Sequence, residues 1–224
     1  MSAPFPIQTS RDPANMAGRI VAWVDGVGAF LLCFDDVISI GGFAGKADVR
    51  IAADLASQHA HIKRSGEGYV VESSAPAVVA SENSRRAGGV SPPSMSKGVA
   101  RSALRGSGRV VDGQTDLNNG DELLLYREGG AGVRLRFRRP NVLTSTAVLS
   151  LASEHRTEPR FDGIVLFAEA CVLGPSSDAH VLCRHWEQSV LLFRREGELW
   201  AKSAAPLNVG DKATEGPVQL HPGD

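Results

Sequence analysis

An all-β fold is what this chain predicts, on three observations. Short runs rich in Val, Ile, Leu and Phe recur along it, turns of Gly, Asp and Asn separate them, and no apolar stretch keeps a 3.6-residue period for three turns. Spacing of that kind suits a sandwich or barrel, with little or no helix.

Taken in order, the N-terminal stretch MSAPFPIQTSRDPANMAG has neither a basic start nor an apolar core, so it does not read as a secretory signal, and 1–17 is expected to be a flexible tail. Strands are then expected at RIVAWV (19–24), AFLLCF (29–34), VISI (37–40), VRI (49–51), HAHIKR (59–64), YVVES (69–73), ELLLY (122–126) and VRLRFR (133–138). The turns VDGVGAF, SGEGY, NNGDE and EGGAG place Gly where a tight hairpin needs positive φ. Between them, 74–108 is dominated by Ser, Ala, Gly, Pro and Arg, cannot bury a continuous face, and is expected to form a long disordered loop carrying Arg85, Arg86, Lys97, Arg101 and Arg105.

Composition limits function. The 224 residues hold 42% apolar and 22% charged side chains, which is ordinary for a packed globular chain. Lys and Arg number 24 against 25 Asp and Glu, a net charge of −1, so a nucleic-acid or anionic-membrane surface built on bulk electrostatics is not expected. No run of 18 apolar residues is present to span a bilayer. Cys33, Cys171 and Cys183 sit at unrelated spacings within apolar runs, which fits buried thiols in a reducing cytoplasm.

The chain also repeats itself. AFLLCFDDVISIGG (29–42) lines up with DGIVLFAEACVLGP (162–175), 48–73 lines up with 178–203, and VVDGQTDLNNGD (110–121) with ATEGPVQLHPGD (213–224). Between the last two segments the offset falls from 130 to 103, so the first copy carries an insertion of 27 residues within the 74–108 loop. Two copies of one β-rich domain are therefore expected, at 18–139 and 140–224. After LNNGD the first copy continues ELLLYREGGAGVRLRFRR, whereas the second stops at LHPGD and lacks its last two strands. The missing hairpin leaves an open edge, explained either by a shortened chain or by a strand that a partner or a second copy of the protein donates, giving a homo-oligomer.

The first copy resembles the forkhead-associated (FHA) domain. The features run in order: ISIGG closing a strand, ADVRI, the turn ADLASQHAHI, the hairpin GEGYVVES, then VDG, LNNGDELLLY and VRLRF, together covering 19–139. The second copy looks like a diverged, incomplete version, and the tandem is similar to FHA-like proteins of certain bacteria. The resemblance implies an eleven-stranded β-sandwich whose loops at one end hold a phosphothreonine peptide. Phosphothreonine brings nearly two negative charges and three acceptor oxygens, so its binder needs fixed cations and donors, Arg above all. The family places an Arg after a Gly at the end of the third strand, a Ser three residues before a His, and an Asn in the following loop. Here Gly41 is followed by Gly42, His59 is preceded at three residues by Ala56, and the loop offers only Asn83. The second copy has Pro175 after Gly174, Trp186 for the Ser and Ser189 for the His. Gly41 and His59 remain as structural elements of the motif. Lys46, Arg50, Ser57 and Gln58 are the groups left to hold a ligand at that end.

Catalytic chemistry finds no support. FAGK (43–46) lacks the Gly six residues before its Lys and the following Ser or Thr of a phosphate loop. HVLCRH (180–185), if a strand, sends His180 to the face opposite Cys183 and His185, too few ligands for zinc. His155 with Glu154 and Asp162 has no nucleophile in view. The expectation is a non-catalytic, cofactor-free cytoplasmic interaction protein that binds a protein or peptide with its phosphothreonine-reading residues lost, with weak phosphopeptide binding through Lys46, Ser57 and the arginines of the 74–108 loop as the alternative.

Overall fold

The computed structural model describes residues 7–10, 18–81, 108–141, 143–209 and 212–221, and all helix or strand among them is strand. The chain forms two compact units whose sequence limits interleave. A flanking unit takes Met1–Asp35, Arg139–Val148 and Phe161–Asp224, and a central unit takes Asp36–Arg138 and Leu149–Arg160. These limits differ from a division at residue 139: residues 18–35 leave the first copy, and 149–160 join it.

The flanking unit begins with an antiparallel meander, β1 (Ile7–Ser10), β2 (Arg19–Val24) and β3 (Gly28–Cys33). Part of the expected 1–17 tail is thus a strand, because IQTS pairs its backbone from Ile7↔Val24 to Ser10↔Val21; residues 1–6 and 11–17 lie outside the described residues. The β2–β3 turn closes at Val24↔Gly28 with Gly26 at φ 68° and Gly28 at φ 140°, conformations that glycine tolerates.

The central unit contains β4 (Val37–Gly42), β5 (Val49–Ile51), β6 (Ala60–Ser65), β7 (Gly68–Ser73), β8 (Ala77–Ala80), β9 (Arg109–Val110), β10 (Thr115–Leu117), β11 (Glu122–Leu125) and β12 (Val133–Arg138). One sheet of five strands runs β10-β7-β6-β4-β5, and a second layer runs β12-β11-β8-β9. Alternation decides which side chains meet between the layers: Val133, Leu135 and Phe137 are buried while Arg134 is exposed, and the Phe137 ring meets Tyr69 of β7 edge-on at 5.4 Å. β8 corrects the expected loop at 74–108. Val78 and Val79 are β-branched, pair with Leu124 and Leu123 of β11, and are buried, so the Ser- and Pro-rich surroundings do not prevent a strand; residues 82–107 lie outside the described residues. Residues 149–160 seal the β5 edge, where Ile51 bridges Thr157 and Glu158 N–H donates to Arg50 C=O at 2.8 Å.

The division between the units falls inside β13 (Ala147–Leu151). The flanking unit then continues with β14 (Gly163–Leu166), β15 (Ala170–Gly174), β16 (Val181–Leu182), β17 (Val190–Arg195), β18 (Glu198–Ser203), β19 (Leu207–Val209), β20 (Lys212–Thr214) and β21 (Val218–Gln219). Its five-stranded sheet runs β16-β15-β17-β18-β21, the same topological order as the five-stranded sheet of the central unit. The internal repeat holds at the level of register. Ile40↔Ala60 corresponds to Leu173↔Val190, Ala60↔Ser73 to Val190↔Ser203, and Val71↔Thr115 to Ala201↔Val218.

The second layers are assembled differently. β14 lies parallel to β3, pairing Ile164 with Leu31 and Val165 with Leu32, so two segments that align as repeats are neighbours in one sheet. Ala22, Val24, Phe30 and Leu32 of the β2–β3 hairpin share a core with Cys171, Leu173, Trp186, Leu192, Leu199 and Leu220. The β2–β3 hairpin, from the N-terminal part of the chain, thus supplies strands and core side chains to the flanking unit. Each large side chain buried this way stabilises by about 1.5–3 kcal/mol relative to exposure.

Candidate functional site

The loop end of the central unit is built from glycines that let two backbone segments touch. A Cβ at Gly41 would stand 2.2 Å from Ser57 O, one at Gly42 2.7 Å from Leu55 O, and one at Gly45 2.3 Å from Ser57 O. Gly42 N–H donates to Ala56 C=O at 2.9 Å and Gly45 N–H to Gly42 C=O at 3.0 Å, which fixes residues 42–46 against 55–57. The position that follows Gly41 is thus occupied by the protein's own backbone, and a side chain there requires the loops to part.

His59 holds this arrangement from inside. It is fully buried; its Nδ1 faces Ala56 N–H at 3.3 Å and therefore accepts, which leaves Nε2 to donate to Pro76 C=O at 3.0 Å. Burial pushes the imidazole below its ordinary pKa of 6.5, the Pro76 carbonyl opposes that shift, and the positive charge of Arg127 adds to it. His59 is accordingly neutral near pH 7. Its backbone is equally occupied: N–H to Ile40 C=O at 2.8 Å, and C=O receiving Ser73 Oγ at 2.8 Å and Ser74 N–H at 3.0 Å. On the neighbouring strand, Ser39 N–H and Oγ both donate to Asp48 Oδ2, at 2.7 and 2.8 Å, and fix the start of β5.

Lys46, Ser57 and Gln58 are exposed at this end and Arg50 is half-buried. Among the described residues no hydrogen bond or ion pair engages any of these four side chains, so nothing draws them into one anion-sized constellation. Two features escape sequence reasoning. Phe43 stands 55% exposed between Gly42 and Gly45, a large apolar side chain displayed on a fixed loop, legible only in that GGFAGK contains one. Arg127 of the β11–β12 turn pairs with Asp54 at 3.1 Å across 73 residues of sequence, which no local pattern announces.

The corresponding end of the flanking unit shares the backbone plan. Ser203 Oγ donates to Ser189 C=O at 3.2 Å, as Ser73 does to His59, while a Cβ at Gly174 would meet Ser189 Oγ at 2.2 Å. Trp186 is buried and Pro175 exposed, so this end presents no cation either at the positions that read phosphate in the resemblance.

The other sequence candidates separate. The β16 strand covers only Val181–Leu182; His180 before it is buried, its Nδ1 accepting from Val172 N–H at 2.9 Å, and Cys183 after it is buried, while His185 is exposed. His155 Nδ1 lies 2.9 Å from Ser153 Oγ, and that oxygen already accepts from Arg134 N–H at 3.2 Å. Asp162 instead caps the β2–β3 hairpin by accepting from Ala29 N–H at 2.9 Å. Among the described residues no three His, Cys, Asp or Glu side chains converge as a metal site. No protein-family model, curated protein or solved structure matches the chain.

Proposed function

We propose that the protein is a non-catalytic interaction protein built on FHA-like β-sandwiches, and that its central loop end contacts protein or peptide partners by shape rather than by reading phosphothreonine. One observation carries this reading: the backbone of Leu55–Ser57 fills the space beside Gly41 and Gly42, so the phosphate-gripping side chain has no room, while His59 still braces the same loops. Phe43 supplies an apolar anchor of the kind that dominates interface energetics. The alternative, a weak phosphopeptide grip through Lys46, Ser57, Gln58 and Arg50, draws only on the exposure of the first three and the half-buried place of Arg50 at the same end. A monomer accords with the reading, because side chains of the β2–β3 hairpin pack into the core of the flanking unit within the chain.

The test is binding to arrays of phosphothreonine peptides and their unphosphorylated twins. Equal signals from each pair, lowered together by Phe43→Ala, are expected. A phosphate-dependent signal that Lys46→Ala abolishes would replace this reading with the alternative.

A further inference from the structure

A concavity lies within the flanking unit, apart from the residues of the loop ends. Its volume is about 180 Å³, room for a small organic ligand rather than a peptide or nucleotide. Ile20, Phe34, Leu199 and Leu220 give it an apolar lining, continuous with the core of the unit. Gly18 and Gly197, at φ 85° and 86°, line it without side chains, and a Cβ at Gly197 would meet nothing within 4 Å.

The charged groups at this cavity are not equivalent. Arg19 is drawn to Asp35, 4.0 Å away. The guanidinium carbon of Arg194 lies 5.0 Å from the centre of the Phe34 ring, a contact that does not consume its N–H donors, and among the described residues no carboxylate lies within ion-pair distance of it. Its neighbour Arg195, by contrast, pairs with Glu196 at 3.6 Å. A guanidinium over an aromatic ring, with donors uncommitted to any carboxylate and a partly apolar hollow beside it, is a receptor for a carboxylate whose remaining surface is apolar. Glu198, which also lines the cavity, sets the charge limit, since a second negative charge on the ligand would meet it in the same small space.

We propose that this cavity binds small organic monocarboxylates, with Arg194 as the carboxylate receptor and Phe34, Leu199 and Leu220 as the apolar seat. The proposal does not rest on the function assigned to the loop end. The experiment is a titration of the full chain, followed through the backbone amide resonances of Leu199 and Leu220, with benzoate, its neutral isostere benzamide, and inorganic phosphate. Benzoate is expected to bind at least about ten-fold more tightly than benzamide and than phosphate. Arg194→Gln keeps a polar planar head on an exposed position, and is expected to erase the benzoate-over-benzamide preference while leaving the other amide resonances in place. Benzoate that shifts neither resonance, equal binding of benzoate and benzamide, phosphate binding as tight as benzoate, or a preference that survives Arg194→Gln would each overturn the proposal.

Discussion

Replacing Leu32 by Ala tests the interleaved architecture. Leu32 is 1% exposed and belongs to the core that joins the N-terminal hairpin to Leu173, Trp186 and Leu192. Truncating a buried Leu costs about 2–5 kcal/mol through lost burial and the cavity left behind. At roughly 2–4 °C per kcal/mol for a chain of this size, a mid-range loss of about 3 kcal/mol lowers the melting point by about 6–12 °C. The reporters are well placed: Trp23, Trp186 and Trp200 all lie in the flanking unit and Tyr69 and Tyr126 in the central one. Tryptophan fluorescence during urea unfolding is therefore expected to show the shift, with faster hydrogen exchange at the amides of β15, β17 and β18. A tandem arrangement would instead place residue 32 with the central strands. An unchanged tryptophan transition, with faster exchange confined to Asp36–Arg138, would refute the assignment of β2–β3 to the flanking core.

Other consequences follow from the loop end and the thiols. Gly42→Arg is expected to destabilise the protein by about 1–3 kcal/mol, because a Cβ there stands 2.7 Å from Leu55 O, and to confer no phosphothreonine preference; a stable variant that gains one would contradict the steric argument. His59→Leu leaves Pro76 C=O and Ala56 N–H without their side-chain partner, and is expected to cost about 1–3 kcal/mol at pH 7.5 in chemical denaturation. Because the folded imidazole titrates below 6.5, protonation favours the unfolded chain; the stability His59 contributes is complete above that pH and falls away below it, so His59→Leu is also expected to flatten the acid side of the stability profile. Burial pushes the Cys171 thiol above the usual range, and pushes Cys183 up to about 11 against the opposing Gly174 backbone hydrogen bond. Iodoacetamide at pH 8 is accordingly expected to label neither until denaturant is added, as read by intact mass.

Much of this was legible in the residues, and for identifiable reasons. Runs such as VRLRFR and the glycines of SGEGY encode strand and turn locally, and both emerge at the expected places. The repeat was legible because cross-strand register is inherited with the apolar pattern, as Ile40↔Ala60 and Leu173↔Val190 show. Partner choice was not. RIVAWVDGVGAFLLCF and ELLLYREGGAGVRLRF are both apolar hairpins, and alternation states which face is buried without stating against which sheet. β8 was hidden by its Ser, Ala and Pro neighbours, since its stability comes from pairing with β11, some 45 residues onward. At the loop end, the loss of side chains at Gly42 and Ala56 was plain from the sequence. The closeness of Leu55–Ser57 that makes the loss steric, and the two ring hydrogen bonds of His59, needed coordinates.

The most direct measurement is a nuclear magnetic resonance titration of the amides from Gly41 to His59 with a phosphothreonine peptide and its unphosphorylated twin. The account predicts that the two peptides shift these amides alike, or not at all. Phosphate-dependent shifts converging on Gly42, Lys46 and Ser57 would contradict it.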